Sequence, residues 1–303
     1  MPETTNATQT VGWIGLGRMG GPMARHLLQA GYRVQGFDLA DDAMERHRQA
    51  GGAVAASAAE AARGADVVVT MLHSDESLQR VVEDADGLLG LLRPPAVFLD
   101  MSTSRVGTIR RLATHFAERG IPLLDAPVTG GVQGADQGTL DIMVGGDVDA
   151  FERCRALLAA MSRKVTYVGA SGTGLLAKYV NQIVMAATFC AAAEGLALAT
   201  KGGADPARVW DAISSGLAAS PLLASTVQSI ASESYGQAAE LMLFYKDTAY
   251  ALGAGTDLAA WLPMTAQAHE AFKLAVQAGF GGGNAPGVAQ LWEQLMDVRL
   301  GTE

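Results

Sequence analysis

The chain has 303 residues, 49% hydrophobic and 17% charged, with 22 lysines and arginines against 31 aspartates and glutamates for a formal charge of −9. This is globular composition for about two domains, and the acidic balance excludes a basic footprint for nucleic acid. Cys154 and Cys190 are too few for a disulfide framework and read as ordinary thiols of a reducing compartment.

Residues 1–10, MPETTNATQT, are polar and lack both a basic and an apolar region, so a loose tail is expected rather than a signal peptide. The longest strongly apolar run, 183–193, is too short to span a bilayer and is followed by Glu194, so a soluble, cytoplasmic protein is expected. TVGWIGLG predicts a strand entering a glycine turn, and GPMARHLLQAG a helix closed by Gly31. YRVQGFD predicts the next strand and ADDAMERHRQAG the next helix. ADVVVTML, AVFLDMS, PLLDAPV and LDIMVGG predict further strands with helical segments among them. Apolar strands alternating with helices indicate a doubly wound, Rossmann-like α/β sheet, and the nearly continuous VVVTML and VFLD suit strands covered on both faces.

Near Gly169 the period changes to that of helices, expected over 175–201, 206–216, 222–233, 238–253 and 263–278. GFGGGNAPG then interrupts before a last helix from near Val288. The expected division is a dinucleotide-binding α/β domain over 11–169 and an all-α substrate and oligomerisation domain over 170–303.

Gly15, Gly17 and Gly20 form a GxGxxG directly after a predicted strand, opening a helix. Such glycines allow a tight turn, close approach of backbone to a pyrophosphate and close helix packing, while the helix N-terminus offers N–H groups to phosphate. Asp38 ends the second strand 18 residues after Gly20, where an acid bonds the adenosine ribose hydroxyls. It would repel a 2′-phosphate, and no arginine follows in FDLADD, which favours NAD over NADP. The plainer reading of Asp38 is a turn cap.

GWIGLGRMGGPMARHL, FLDMSTS, DAPVTGGVQGADQGTLDIMVGG, GTGLLAKYVNQ and YKDTAYAL follow one another in the order found in the β-hydroxyacid dehydrogenases. The chain resembles that family, which includes 3-hydroxyisobutyrate dehydrogenase and tartronate semialdehyde reductase, over roughly residues 11–297. The resemblance implies a Rossmann-like domain, a long interdomain helix and an all-helical domain that makes homodimers or homotetramers. It implies Lys178 as acid/base at the substrate hydroxyl. It further implies Ser102, Thr129, Gly130, Gly131, Asn181 and Gln182 around the substrate. Leu16, Arg18, Met19, Met71, Leu72, His73, Thr103 and Lys246 would join the glycines and Asp38 around the cofactor.

The residue chemistry suits those roles. Positions 178, 181, 182 and 185 share one helical face, presenting an ammonium, two amides and a methionine to one cleft. A base must take the hydroxyl proton as hydride leaves carbon, and a lysine, with a pKa near about 10.4, needs burial or a neighbouring positive charge to serve. Gly130 and Gly131 can expose backbone N–H groups to a carboxylate, or they serve only as a turn. Taken alone, Lys178 reads as a snorkelling lysine, Asn181 and Gln182 as routine helix polar groups, and Lys246–Asp247 as a solvated pair. The histidines at 26, 47, 73, 115 and 269 show no ligand spacing, so no metal is expected, and His26 and His47 are expected on helix surfaces.

Some positions depart from the family pattern. Thr129 stands where serine is usual, narrowing the pocket, and His73 replaces a proline. Gln182 replaces a second asparagine and, with AAEGLALATKGG, resembles the tartronate semialdehyde reductase branch. GGGNAPG departs from an acidic loop. The expected reaction is hydride transfer between NAD, with NADP as the lesser choice, and a small 3-hydroxy acid. The alternatives are a reductase of small aldehydes such as glyoxylate or succinic semialdehyde, and a non-catalytic dinucleotide-binding module.

Overall fold

A computed structural model describes residues 9–236 and 240–301, so most of the expected tail and the start of the helix expected at 238 lie outside the described residues. The chain divides into two compact units, Met1–Lys178 and Tyr179–Glu303.

The first unit is built on a sheet with nine strands among the described residues. They are β1 (Thr10–Ile14), β2 (Arg33–Phe37), β3 (Ala53–Val54), β4 (Val67–Thr70), β5 (Val97–Asp100), β6 (Leu123–Asp125), β7 (Val128–Thr129), β8 (Leu140–Gly146) and β9 (Ser162–Gly169). Their order is β3-β2-β1-β4-β5-β6-β8-β7, with β9 also on β8. β1 to β6 pair in parallel, with Val11 opposite both Val34 and Val67. β8 runs antiparallel to β6 and β7. The order reverses between β1 and β4, and in such sheets ligands bind outside the carboxyl ends of the strands at that point. Every residue of β4 and β5 is buried, as their unbroken apolar runs require. Trp13, Met23, Leu27, Val69, Leu99 and Leu124 share the core beneath.

β9 was not expected. Its sequence, SRKVTYVG, is mostly exposed and charged at Arg163 and Lys164, as befits an edge strand, so it lacks the apolar run that marked the others. His47, expected on a helix surface, is instead 4% exposed. Gly36 and Gly52 make room for it: a Cβ added at Gly52 would lie 2.1 Å from its ring nitrogen. Nε2 faces the Val34 carbonyl at 3.4 Å, and burial holds the imidazole pKa below its usual value.

The helical expectations after residue 169 hold for element and type. A single helix, Thr173–Lys201, starts in the first unit and continues into the second. Helices Pro206–Ile213, Pro221–Ala231, Glu240–Asp257, Pro263–Gln277 and Ala289–Met296 follow. Asp205 and Ser220 cap two of them through backbone N–H groups, each just before a proline that suits the first helical turn. Phe244 packs edge-on to Phe189 at 5.2 Å and stacked on Phe272 at 5.6 Å, forming one core with Ala186 and Leu291. By length and composition the 29-residue helix could cross a membrane. Its Ala186, Phe189, Ala193, Leu196 and Ala197 instead lie in the helical core.

Candidate active site

In the first unit the glycine turn is fixed from several sides. Gly15 has φ +99°, and a Cβ there would meet the Met71 carbonyl oxygen at 2.3 Å. Trp13 Nε1 donates to the Gly15 carbonyl at 2.8 Å. A Cβ on Gly20 would lie 1.9 Å from that same oxygen, whereas one on Gly17 would meet nothing within 4 Å. Two of the glycines are thus demanded by packing. Gly17, exposed with Arg18 at the start of helix Gly20–Gln29, leaves open space where a phosphate would approach. Leu16 is buried and Met19 packs on the core. Asp38 accepts from Ala40 N at 2.9 Å, which is the turn cap, and from Leu16 N at 2.7 Å, which ties it to the glycine turn. The turn-cap reading of Asp38 is therefore realised, and the second bond sets the same carboxylate beside the glycine turn. The turn, the helix start and the half-buried carboxylate beside them fit a dinucleotide.

The ends of β4, β5 and β6 carry a row of buried polar groups. Thr70 Oγ1 donates to Asp100 Oδ1 at 2.7 Å and Ser104 Oγ to Asp100 Oδ2 at 3.0 Å. Ser102 is fully buried, and its Oγ accepts from Leu72 N at 2.9 Å, joining the two predicted cofactor loops. Met71, Leu72 and Thr103 are half-buried and His73 is exposed. Asp125, in register with Asp100, accepts from Gly172 N at 2.7 Å and Leu175 N at 2.9 Å. Burial, with the Asp100 charge as a lesser cause, pushes its carboxyl up to about 6, against the pull of those N–H groups. Asp100 is raised by burial too.

Thr129 ends β7, half-buried, and the chain then passes through Gly130 at φ +125° and Gly131 at φ +61°. Two consecutive positive φ values need glycine here, so the turn reading is satisfied, and both residues are exposed. Five residues past the start of the long helix, Lys178 is 9% exposed, not a surface lysine.

In the second unit Asn181 Nδ2 donates to Gln182 Oε1 at 2.9 Å and contacts Met185 Sδ at 3.3 Å. Gln182 is 2% exposed, and its Nε2 donates to Asp247 Oδ2 at 2.6 Å. Lys246 Nζ lies 3.1 Å from Asp247 Oδ1 and 5.1 Å from the Tyr250 ring centroid. The pair is not solvated: Asp247 is fully buried and Lys246 largely covered. Asp247, Asp100 and Asp125 were not among the expected site residues. Their signals were present, since Asp247 falls on the helix face of Phe244 and Ala251, and the other two end unbroken apolar strands. Both cysteines are free, and burial pushes each thiol up to about 12, away from nucleophilic use. Two surface clefts of the first unit, about 900 and 360 Å³, contain none of these residues.

Comparison with known proteins agrees with the fold and with a nicotinamide-dependent family. Residues 10–169 match the NAD-binding domain of 6-phosphogluconate dehydrogenase. Residues 172–292 match the family described as the NAD-binding region of NADP-dependent 3-hydroxyisobutyrate dehydrogenase. The 3-hydroxyisobutyrate dehydrogenase of Pseudomonas aeruginosa is 36% identical over 275 residues, covering 88% of this chain and 92% of its own. L-threonate dehydrogenase of Cupriavidus necator is 32% identical over 286 residues, 94% of this chain and 96% of its own. A solved structure of the 3-hydroxyisobutyrate dehydrogenase of Mycobacterium tuberculosis with L-serine superimposes with a TM-score of 0.86 at 34% identity, covering 94% of this chain and 99% of that one. With its glycine turn, sheet order and helical second unit, the chain belongs to the β-hydroxyacid dehydrogenases, NAD(P)-dependent oxidoreductases of small hydroxy acids.

Proposed function

We propose that the chain transfers hydride between NAD and a small 3-hydroxy acid, with Lys178 moving the proton at the substrate hydroxyl. The observation that carries this is a lysine only 9% exposed, one helical turn before Asn181 and Gln182. Lysine is seldom so little exposed, and Lys178 shares its helical face with two amides, the setting that the family resemblance assigns to an acid/base. In oxidation the Nζ amine takes the hydroxyl proton as the C–H bond breaks, and in reduction the ammonium returns it to the carbonyl oxygen. The nicotinamide, when bound, supplies the hydride chemistry. Thr129 and the N–H groups of Gly130 and Gly131 are assigned to the substrate carboxylate, with Ser102, Asn181 and Gln182 completing its surroundings. Gly15 to Gly20, Asp38, Met71, Leu72, His73, Thr103 and Lys246 are assigned to the cofactor.

The Asp38 carboxylate supports NAD over NADP, because it would lie against a 2′-phosphate. We assign the functional division to near residue 169, a reading supported by the gap between the two family matches. Two free cysteines, Cys154 buried and Cys190 half-buried, support a reducing, cytoplasmic setting. A homo-oligomer is supported by the exposed apolar residues of the long helix.

The test is absorbance of the reduced nicotinamide with NAD or NADP. The panel is 3-hydroxyisobutyrate, 3-hydroxypropionate, glycerate, serine, threonate and 4-hydroxybutyrate, with glyoxylate, tartronate semialdehyde and succinic semialdehyde in reverse. Turnover with NAD that falls by a factor of about 10³ or more in Lys178→Ala, while that variant still binds NAD, is the expected result. Turnover retained in Lys178→Ala would remove the lysine from the chemistry.

A further inference from the structure

Lys178 acts at a stated atom only if its helix is held in register with the loop that holds the substrate carboxylate. The polar row at the strand ends contains one group that bonds the helix start and lies close in sequence to that loop. Asp125 is the last residue of β6 and stands four residues before Thr129 along the same chain. Its two carboxylate oxygens accept one N–H each, from Gly172 and Leu175, at the first turn of the helix that carries Lys178. Those N–H groups are among the ones a helix start leaves without an internal partner. Lys178 follows Leu175 by three residues, about 4.5 Å along the axis at the α-helical rise.

The surroundings leave this junction no slack. A Cβ on Gly174 would lie 2.5 Å from the Met143 carbonyl oxygen and 2.6 Å from that of Asp125. One on Gly145 would lie 2.7 Å from Asp125 Oδ1 and 2.8 Å from Gly174 N. The helix start is thus wedged against β6 and β8. On the other side, Met143 N donates to the Pro127 carbonyl at 3.1 Å, and β7 pairs with β8 through Val128 and Thr129. The path from Asp125 to Thr129 is fixed on the same strand that backs the helix. Fully buried, Asp125 contributes no surface charge, and a cap alone could be supplied by any local serine or aspartate.

We infer that Asp125 is a positioning residue for the reaction, setting the reach between Lys178 and the carboxylate-holding turn Thr129–Gly131. This rests on the acid/base assignment of Lys178. A displacement of about 1 Å at a reacting group can cost a factor of about 10² in rate. The near-isosteric Asp125→Asn keeps one acceptor but turns an NH₂ toward the second N–H, so the helix start must shift to relieve it.

The experiment is single-turnover hydride transfer by stopped flow, with NAD-saturated enzyme and whichever hydroxy acid of the panel turns over. Wild type, Asp125→Asn, Asp125→Ser, Lys178→Ala and Lys178→Ala/Asp125→Asn are compared, with NAD affinity measured by fluorescence. The amplitude reports the active fraction and the rate constant reports the chemical step. Expected is a fall of about tenfold or more in the rate constant for Asp125→Asn, with NAD affinity within twofold of wild type and a change below twofold in the Lys178→Ala background. A lower amplitude with an unchanged rate constant would make Asp125 a stability group only. An equal fall in both backgrounds, or failure of both Asp125 variants to bind NAD, would equally overturn the inference. A wild-type rate in Lys178→Ala would instead overturn the assignment of the lysine.

Discussion

Single side chains in this protein carry more than one duty, and substitutions separate them. Asp38 holds the glycine turn through Leu16 N and its own turn through Ala40 N, while offering negative charge where a ribose is expected. Asp38→Asn keeps an acceptor and loses the charge. Bonds to charged groups are worth about 1.5–3 kcal/mol, so NAD affinity should fall by roughly ten- to a hundredfold. Discrimination against NADP should relax by about tenfold or more, and titration of both cofactors by fluorescence would show it. Unchanged discrimination would remove Asp38 from ribose recognition. His47 makes a stability prediction. Burial depresses its folded pKa below the ordinary value near about 6.5, so the unfolded chain binds the proton more readily. Its stabilising contribution is present above that value and is lost as pH falls toward the folded pKa, at up to about 1.4 kcal/mol per pH unit for one proton. Urea midpoints of wild type at pH 7.5 and 5.5 should differ by more than those of His47→Gln, and equal differences would contradict the buried, neutral imidazole.

At the scale of elements, the turn between β1 and helix Gly20–Gln29 separates folding from binding. Gly20→Ala places a Cβ 1.9 Å from a backbone oxygen that the Trp13 indole already engages. A destabilisation of about 3 kcal/mol or more is expected, since neither backbone nor indole can yield cheaply. Gly17→Ala meets nothing within 4 Å and should melt like wild type, yet bind NAD at least about tenfold more weakly, because the methyl occupies the space left for the pyrophosphate. Melting with and without NAD decides the matter, and a Gly17→Ala protein that binds NAD normally would count against the placement. The same turn shows why much of the fold was legible in the sequence. Strand, glycines, helix and Asp38 follow at fixed spacing, and a doubly buried strand such as VVVT has no other comfortable environment. Lys178, Asn181 and Gln182 were legible as one helical face, but the partner of Gln182 was not. Asp247 lies 65 positions away, and which carboxylate meets which amide is set by tertiary packing. β9 and the burial of His47 escaped for a related reason, since an edge strand and a histidine seated against glycines leave no hydrophobic period to read.

At the scale of the whole molecule, the long helix Thr173–Lys201 poses a question of covering. Beyond Gln182 this helix carries one charge, the exposed Glu194, before Lys201, and so apolar a stretch is ordinarily buried on most of its sides. Here Ala186, Phe189, Ala193 and Ala197 are covered by the helical core, while Val180, Val184 and Leu198 are 63%, 56% and 69% exposed. Val180 and Leu198 stand 18 residues apart, which is five α-helical turns, and Val184 lies one turn on from Val180, so the three share a stripe. Ala191 and Gly195 on the same side are exposed and small enough for another helix to approach closely. A second copy of the chain, laying its own stripe along this one, would bury both in an isologous contact. The expected outcome is a dimer or larger assembly by sedimentation, converted to monomer by Val184→Glu, because a carboxylate on each side of a two-fold contact would be desolvated against its symmetry mate. Since Val184 points away from the unit's own core, the monomer should keep its helical circular dichroism. A wild-type monomer at micromolar concentration, or a Val184→Glu protein that assembles as before, would show that the stripe is not the contact.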